Sequence, residues 1–280
     1  MALQALALLP HSPLLIPEIG RSNYDFLAKT TAAYEEIAGH FQKKAVDTLI
    51  IISPHGLKGG SNFVLSVSPE MRPDFKDFGF IPSLAPLKGD SILADQIKNA
   101  LRPDFPVQLA SPDILDNGSG IPLYLLQKFL PEAKALVIHP AEDKNPAELA
   151  AFGTGLRGVI SQRHKKIAVI VSGDLSHRLK KKSPGGYSPK GAKFDNKLIE
   201  LLSLGPAAGQ KILNMDQKLI AEAGECAFRP LALALGILEG LNWEAEILAY
   251  QTDFGIGYLS VNFNIKKSSN PANSDPESAL

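Results

Sequence analysis

Six histidines occur in the 280 residues, and four of them close short apolar runs: Leu8-Leu9-Pro10-His11, Ile52-Ser53-Pro54-His55, Val137-Ile138-His139 and Val171-Ser172-Gly173-Asp174-Leu175-Ser176-His177. Neutral imidazole is the commonest metal ligand and the natural proton carrier near neutral pH, so a cluster of such residues can supply both metal binding and acid–base chemistry. His11 and His55 share the same Pro-His form after an apolar run, and His177 ends a longer Gly-Asp-Leu-Ser-His turn. His139 runs into Pro140-Ala141-Glu142-Asp143 and reads as a structural or supporting residue. His40, on a helical segment, and His164, in the basic turn Arg163-His164-Lys165-Lys166, are explained by solvation. A metal held by histidines also needs charge compensation, and Glu222, Glu225 and Cys226 lie together just before an apolar helix. Two histidines and one carboxylate that leave open positions are the ligand set of non-haem Fe(II) oxygenases, and zinc accepts the same set. Taken alone, Glu225 is equally a helix N-terminal acid and Cys226 a small buried hydrophobe.

Histidines this far apart in sequence meet only if the runs before them are neighbouring strands of one direction. The pattern meets that requirement. Runs at 3–9, 48–52, 133–138 and 167–171 are rich in Leu, Ile and Val, as strands buried on both faces are. Segments of helical period separate them at 25–43, 91–101, 146–162 and 194–202, and a more apolar helix is expected at 228–241. The predicted fold class is therefore α/β, a single domain with a largely parallel central sheet flanked by helices on both faces. In such a sheet the carboxyl ends of parallel strands share one edge, where ligands bind. Residues 243–251 and 257–263 alternate more clearly around Asp253-Phe254-Gly255 and predict a hairpin on one sheet edge. The basic, glycine-containing stretch 180–190 predicts an exposed loop. The domain is expected over residues 1–265, followed by a disordered tail over 266–280.

Acidic and basic residues balance at 29 each, which gives no field for nucleic acid or an anionic membrane and favours a small-molecule partner. A homo-oligomer or a partner subunit is compatible with that balance. The single cysteine excludes an internal disulfide and a Cys-rich zinc module and fits a reducing compartment. The apolar start 2–9 lacks a basic leader region, and no run is long enough to span a bilayer, so a cytoplasmic location is expected.

Taken in order, Leu9-Pro10-His11-Ser12-Pro13, Ser53-Pro54-His55-Gly56, Ser172-Gly173-Asp174-Leu175-Ser176-His177 and Gly224-Glu225-Cys226 with Arg229-Pro230 resemble the class III (LigB-type) extradiol dioxygenase catalytic subunit and its MEMO-like relatives. The resemblance implies a LigB-like domain with an Fe(II) site formed by His11, His55 and a carboxylate, and His177 beside it as the acid–base residue. By analogy the carboxylate is Glu225; Cys226 competes for the place, as MEMO-like members present a cysteine there, and Glu222 is a third choice. The Gly-Glu-Cys form is most similar to a bacterial branch associated with radical-SAM and AMMECR-domain partners. Ring-cleaving members often carry Asp-His-Gly where this chain has Asp116-Asn117-Gly118; Asn117 can hydrogen-bond a substrate but cannot transfer a proton. The expectation that follows is an Fe(II)-dependent dioxygenase acting on a catechol-like or aminophenol-like aromatic with dioxygen. The alternatives are a MEMO-like metal- or peptide-binding protein and a zinc-dependent hydrolase.

Overall fold

Residues 2–266 are described by a computed structural model. Ten strands form in chain order: β1 (Leu3–Leu9), β2 (Thr48–Ile52), β3 (Phe63–Ser66), β4 (Glu70–Met71), β5 (Leu87–Lys88), β6 (Val107–Ala110), β7 (Lys134–His139), β8 (Ile167–Ser172), β9 (Asn242–Gln251) and β10 (Tyr258–Lys266). The helices are α1 (Pro17–Gly20), α2 (Ala28–Lys43), α3 (Ser91–Leu101), α4 (Asn117–Gln127), α5 (Pro146–Ser161), α6 (Pro189–Leu202), α7 (Gly209–Leu213), α8 (Gln217–Ala223) and α9 (Phe228–Leu238).

Eight strands make one sheet in the order β6-β3-β7-β2-β8-β1-β10-β9, and β4 and β5 form a separate small pair. The central strands β7, β2, β8 and β1 are mutually parallel. Their residues divide by pleat between two cores. On β8, Ile167, Val169 and Val171 face one apolar layer while Ala168 and Ile170 face the other. The first layer is covered by α3, α5, α6 and α9, and the second by α2 and α4. Because both faces are buried, these strands read in sequence as continuous apolar runs rather than as alternation.

The fold class matches the expectation, and so does the closing hairpin: β9 and β10 pair antiparallel at the sheet edge, with β10 against β1. Lys266, expected in the tail, closes β10; the remainder of the expected tail lies outside the described residues. The helix expected at 25–43 begins at Ala28, after a 3-10 segment Arg21–Leu27. Two differences bear on the site. His139, expected just after a strand, is the last residue of β7, because antiparallel pairing of Val64 with His139 extends that strand. Residues 116–118, which suit a turn, instead start helix α4. Asp116 is its N-cap and accepts from the Ser119 N–H, an interaction strong enough to begin a helix that Gly118, Gly120 and Pro122 disfavour.

Candidate metal centre

Parallel strands β1, β2 and β8 deliver His11, His55 and Asp174 to one sheet edge, each two or three residues beyond its strand. There His11 Nε2 lies 3.2 Å from His55 Nε2, with the rings nearly perpendicular, and 3.8 Å from Cys226 Sγ. One donor atom from each of these three residues falls within 4.8 Å of the others. His11 is buried, Cys226 half-buried and His55 exposed, so the group opens to solvent on the His55 side. Donors about 2.1 Å (N) and 2.3 Å (S) from a common cation lie about 3.0–3.6 Å apart at angles of 90–109°, and the two separations from His11 Nε2, 3.2 Å and 3.8 Å, lie in or near that range.

The ring tautomer of His11 is fixed by a relay. Pro122 has no N–H, so the carbonyl of Gly118, one turn earlier in α4, lacks its helical partner. Ser172 Oγ, fully buried at the end of β8, donates to that carbonyl instead. With its hydrogen committed, the Ser172 oxygen accepts from His11 Nδ1 at 3.0 Å. Nδ1 therefore carries the His11 proton and Nε2 keeps a lone pair aimed at His55 and Cys226, the arrangement that a ligating histidine needs. Although His55 is open to solvent on one side, partial desolvation by the surrounding protein, reinforced by the neighbouring His11, lowers its pKa and favours a neutral ring there as well. Ser53 Oγ accepts from the His55 backbone N–H and donates to Asp116, which ties the His55 loop to the cap of α4.

Cys226 is held by the turn that carries Asp174. The Cys226 N–H donates to the Asp174 carbonyl at 3.1 Å, and the Asp174 N–H points at Cys226 Sγ at 3.2 Å. Close packing requires a glycine here: a Cβ on Gly173 would fall 2.3 Å from Ala227 Cα. Burial, with the charge of Asp174 adding to it, raises the Cys226 thiol well above its ordinary pKa. A bound cation acts in the opposite direction, because the thiolate is the ligand form.

Asp174 joins the two functional halves of the site. Its Oδ1 accepts the His11 backbone N–H at 3.0 Å, and its Oδ2 lies 3.9 Å from His11 Nε2 and 3.8 Å from His177 Nε2. His177 Nδ1 faces the Gly224 carbonyl at 2.9 Å, and a carbonyl can only accept, so Nδ1 is protonated and Nε2 is the nitrogen available for proton exchange. The sequence gives Asp174 no separate role; its signal there is a carboxylate three residues before His177 in Gly-Asp-Leu-Ser-His.

A family model for the catalytic LigB subunit of aromatic ring-opening dioxygenase matches residues 5–260. The chain belongs to this family. It is 35% identical over 268 residues to Protein CA_C1420 of Clostridium acetobutylicum, a match that takes in 92% of this chain but 57% of that protein. It thus spans little more than half the length of that relative. An uncharacterized Escherichia coli K12 protein, JW3007, has a crystal structure of the same fold, with a TM-score of 0.65 and 17% identity over 92% of this chain and 99% of that one.

Glu225 turns away from the histidine pair. Its carboxylate accepts the Phe228 N–H at 2.6 Å and caps α9, and it is not among the three residues grouped at the centre. Burial pushes the Glu225 carboxyl up to about 7, against the pull of the Phe228 and Ala227 N–H groups. Neighbouring residues of one turn point in different directions, and the side chain that lies with His11 and His55 is Cys226 rather than Glu225. Glu222 lies back on α8, outside the group; its backbone carbonyl accepts from Arg178. Asn117, the first residue of α4, is exposed and lines an open cleft of about 540 Å³ with His55, Asp74, Asp77 and Asp116. His139 is buried, and burial lowers its pKa. Among the described residues no helix is long and apolar enough to cross a membrane.

Proposed function

We propose that this LigB-family protein is a metal-dependent oxidoreductase whose centre is held by His11, His55 and Cys226, with His177 and Asp174 managing protons beside it. The observation that carries this reading is the convergence of two imidazole Nε2 atoms and one thiol within 4.8 Å, with the His11 tautomer already set for ligation. Fe(II) is the proposed ion, with zinc as the alternative, since imidazole and thiolate donors suit both. When bound, iron would supply electron exchange between dioxygen and an aromatic diol or aminophenol.

The residues of the chain do the rest. A substrate enters by the cleft over His55, where Asp74, Asp77 and Asp116 disfavour anions and Asn117 offers a hydrogen bond. His177 Nε2 takes the hydroxyl proton, and Asp174 stabilises the resulting imidazolium from 3.8 Å. Asp174 also places negative charge next to the donor group, which favours a bound cation.

A second reading is favoured by Cys226 standing in place of a carboxylate and by Asn117 standing in place of a proton-transferring histidine: a MEMO-like metal-binding protein without ring cleavage. One experiment separates the two. Protein reconstituted with Fe(II) under anaerobic conditions is exposed to air with a panel of catechols and aminophenols, and oxygen uptake and product are followed. The enzymatic reading predicts turnover that His177→Ala lowers roughly 10²- to 10⁴-fold while leaving metal content near normal. Stoichiometric iron with no turnover of any panel member decides for the binding protein. Full metal occupancy in His11→Ala or His55→Ala removes the site altogether.

A further inference from the structure

Helix α6 turns Phe194, Leu198 and Leu202 into the first apolar layer, and one carboxyl group, that of Asp195, is buried with them at 0% exposure. Both of its oxygens are engaged. Oδ1 accepts the Ser176 N–H at 2.9 Å, and Oδ2 accepts the Tyr250 hydroxyl at 2.8 Å. Backbone closes over the group on the side of Gly257, where a Cβ would fall 2.2 Å from Oδ2. Ser176 is in turn the residue from which the Asp174–His177 turn hangs. Its Oγ donates to the Ala223 carbonyl and accepts the Arg178 N–H, and its own carbonyl accepts the Gly257 N–H. Every polar group of Ser176 is thus tied down, and Asp195 supplies the one side chain among those partners.

An amide would serve the same two neighbours, its oxygen accepting from Ser176 and its NH2 donating to the Tyr250 oxygen, without the cost of burying a carboxyl. What a carboxyl adds is charge. Burial raises the Asp195 carboxyl to about 6, so that charge is present at neutral pH and mostly absent at pH 5. The titratable groups facing it are Tyr250 on β9, His177 next to Ser176, and Glu225 in the turn before α9. A protonated His177 favours ionised Asp195, and by reciprocity an ionised Asp195 favours protonated His177. Asp174 meets His177 at Nε2, 3.8 Å away, whereas Asp195 acts through the Ser176 backbone. We propose that Asp195 is a positioning residue for His177: tied to Ser176 and Tyr250, its carboxylate fixes the turn that sets Nε2 beside Asp174 and adds a second negative charge to the surroundings of the ring. The proposal rests on the reading of His177 as the proton-exchanging group.

The test compares wild type with Asp195→Asn and Tyr250→Phe in the Fe(II)-loaded assay and in the metal-free chain. At pH 5 Asp195 is as neutral as the amide, so the ratio of wild-type to Asp195→Asn kcat should be near one there and rise to roughly three- to tenfold at pH 7.5, with KM and metal content unchanged. A purely structural role gives a ratio that does not vary with pH. The metal-free chain supplies a readout that needs no turnover. By NMR, the Ser176 amide and the His177 ring should share an inflection near pH 6 that is lost in Asp195→Asn. Tyr250→Phe, which removes a hydrogen bond that lowers the Asp195 carboxyl, should move that inflection to higher pH. If no substrate turns over while the shared inflection behaves in this way, the oxidoreductase reading fails and the positioning of His177 stands. A pH-independent kcat ratio, an inflection that persists in well-folded Asp195→Asn, or one at Ser176 that the His177 ring does not share overturns the proposal.

Discussion

Replacing Ser172 by alanine tests the relay that orients His11. The hydroxyl is fully buried; it donates to the Gly118 carbonyl and accepts from His11 Nδ1. Its removal leaves two buried polar groups without partners, each worth about 1–3 kcal/mol of stability. The ring also loses the acceptor that holds its proton on Nδ1, and loss of such a supporting hydrogen bond lowers metal affinity about 10- to 100-fold. Pro122→Ala separates the two effects, because an N–H at position 122 can bond the Gly118 carbonyl within α4. The double variant Ser172→Ala/Pro122→Ala should therefore regain much of the lost stability while metal affinity stays low. Stability is read by denaturant unfolding of the metal-free protein, and affinity by anaerobic competition of Fe(II) or Zn²⁺ against a chromophoric chelator. Wild-type metal affinity in a well-folded Ser172→Ala variant would refute the relay, and recovery of affinity in the double variant would show that Gly118, not His11, is what Ser172 serves.

Cys226→Ala should lose stoichiometric metal, whereas Glu225→Gln, whose amide oxygen can still cap α9, should retain it; elemental analysis of the purified variants decides, and the opposite order would return the ligand role to Glu225. Gly173→Ala should displace the Cys226 turn, since its methyl would meet Ala227 at 2.3 Å, and so lower metal affinity more than Gly158→Ala, a helical site with open space; equal effects in the same titration would argue against that coupling. Asp195, buried beneath Tyr250 and the Ser176 N–H, has its carboxyl raised from 3.8 to about 6, chiefly by burial. A raised carboxyl means that the folded state binds the extra proton, so the contribution of Asp195 to stability is fully present below pH 4 and is lost as pH rises through 6, by about 3 kcal/mol at most for a shift of this size. The difference between wild type and Asp195→Asn in urea unfolding from pH 4 to 7 isolates this group, and a pH-independent difference would contradict it.

The sequence by itself determined the fold class and the edge on which the site lies. Strands buried on both faces must be apolar throughout, and β1, β2 and β8 announce themselves that way. Residues that follow such strands, His11, His55 and the Gly-Asp-Leu-Ser-His turn, are then brought to one rim by parallel topology alone. What the sequence left open among Glu222, Glu225 and Cys226 depends on the direction each side chain takes in a turn with no periodicity, and that direction is set by docking. Gly173 packs on Ala227 and the Asp174 backbone bonds Cys226, which turns the thiol inward and leaves Glu225 to cap α9. Helix α4 was hidden because Gly118, Gly120 and Pro122 argue locally against a helix, while the Asp116 cap and burial against the sheet outweigh them. Its proline nevertheless has a use that only the tertiary structure discloses: it frees the one carbonyl that Ser172 needs in order to hold His11 in its ligating form. Local residue types therefore fixed which groups reach the rim, and long-range packing decided which atoms of those groups face one another.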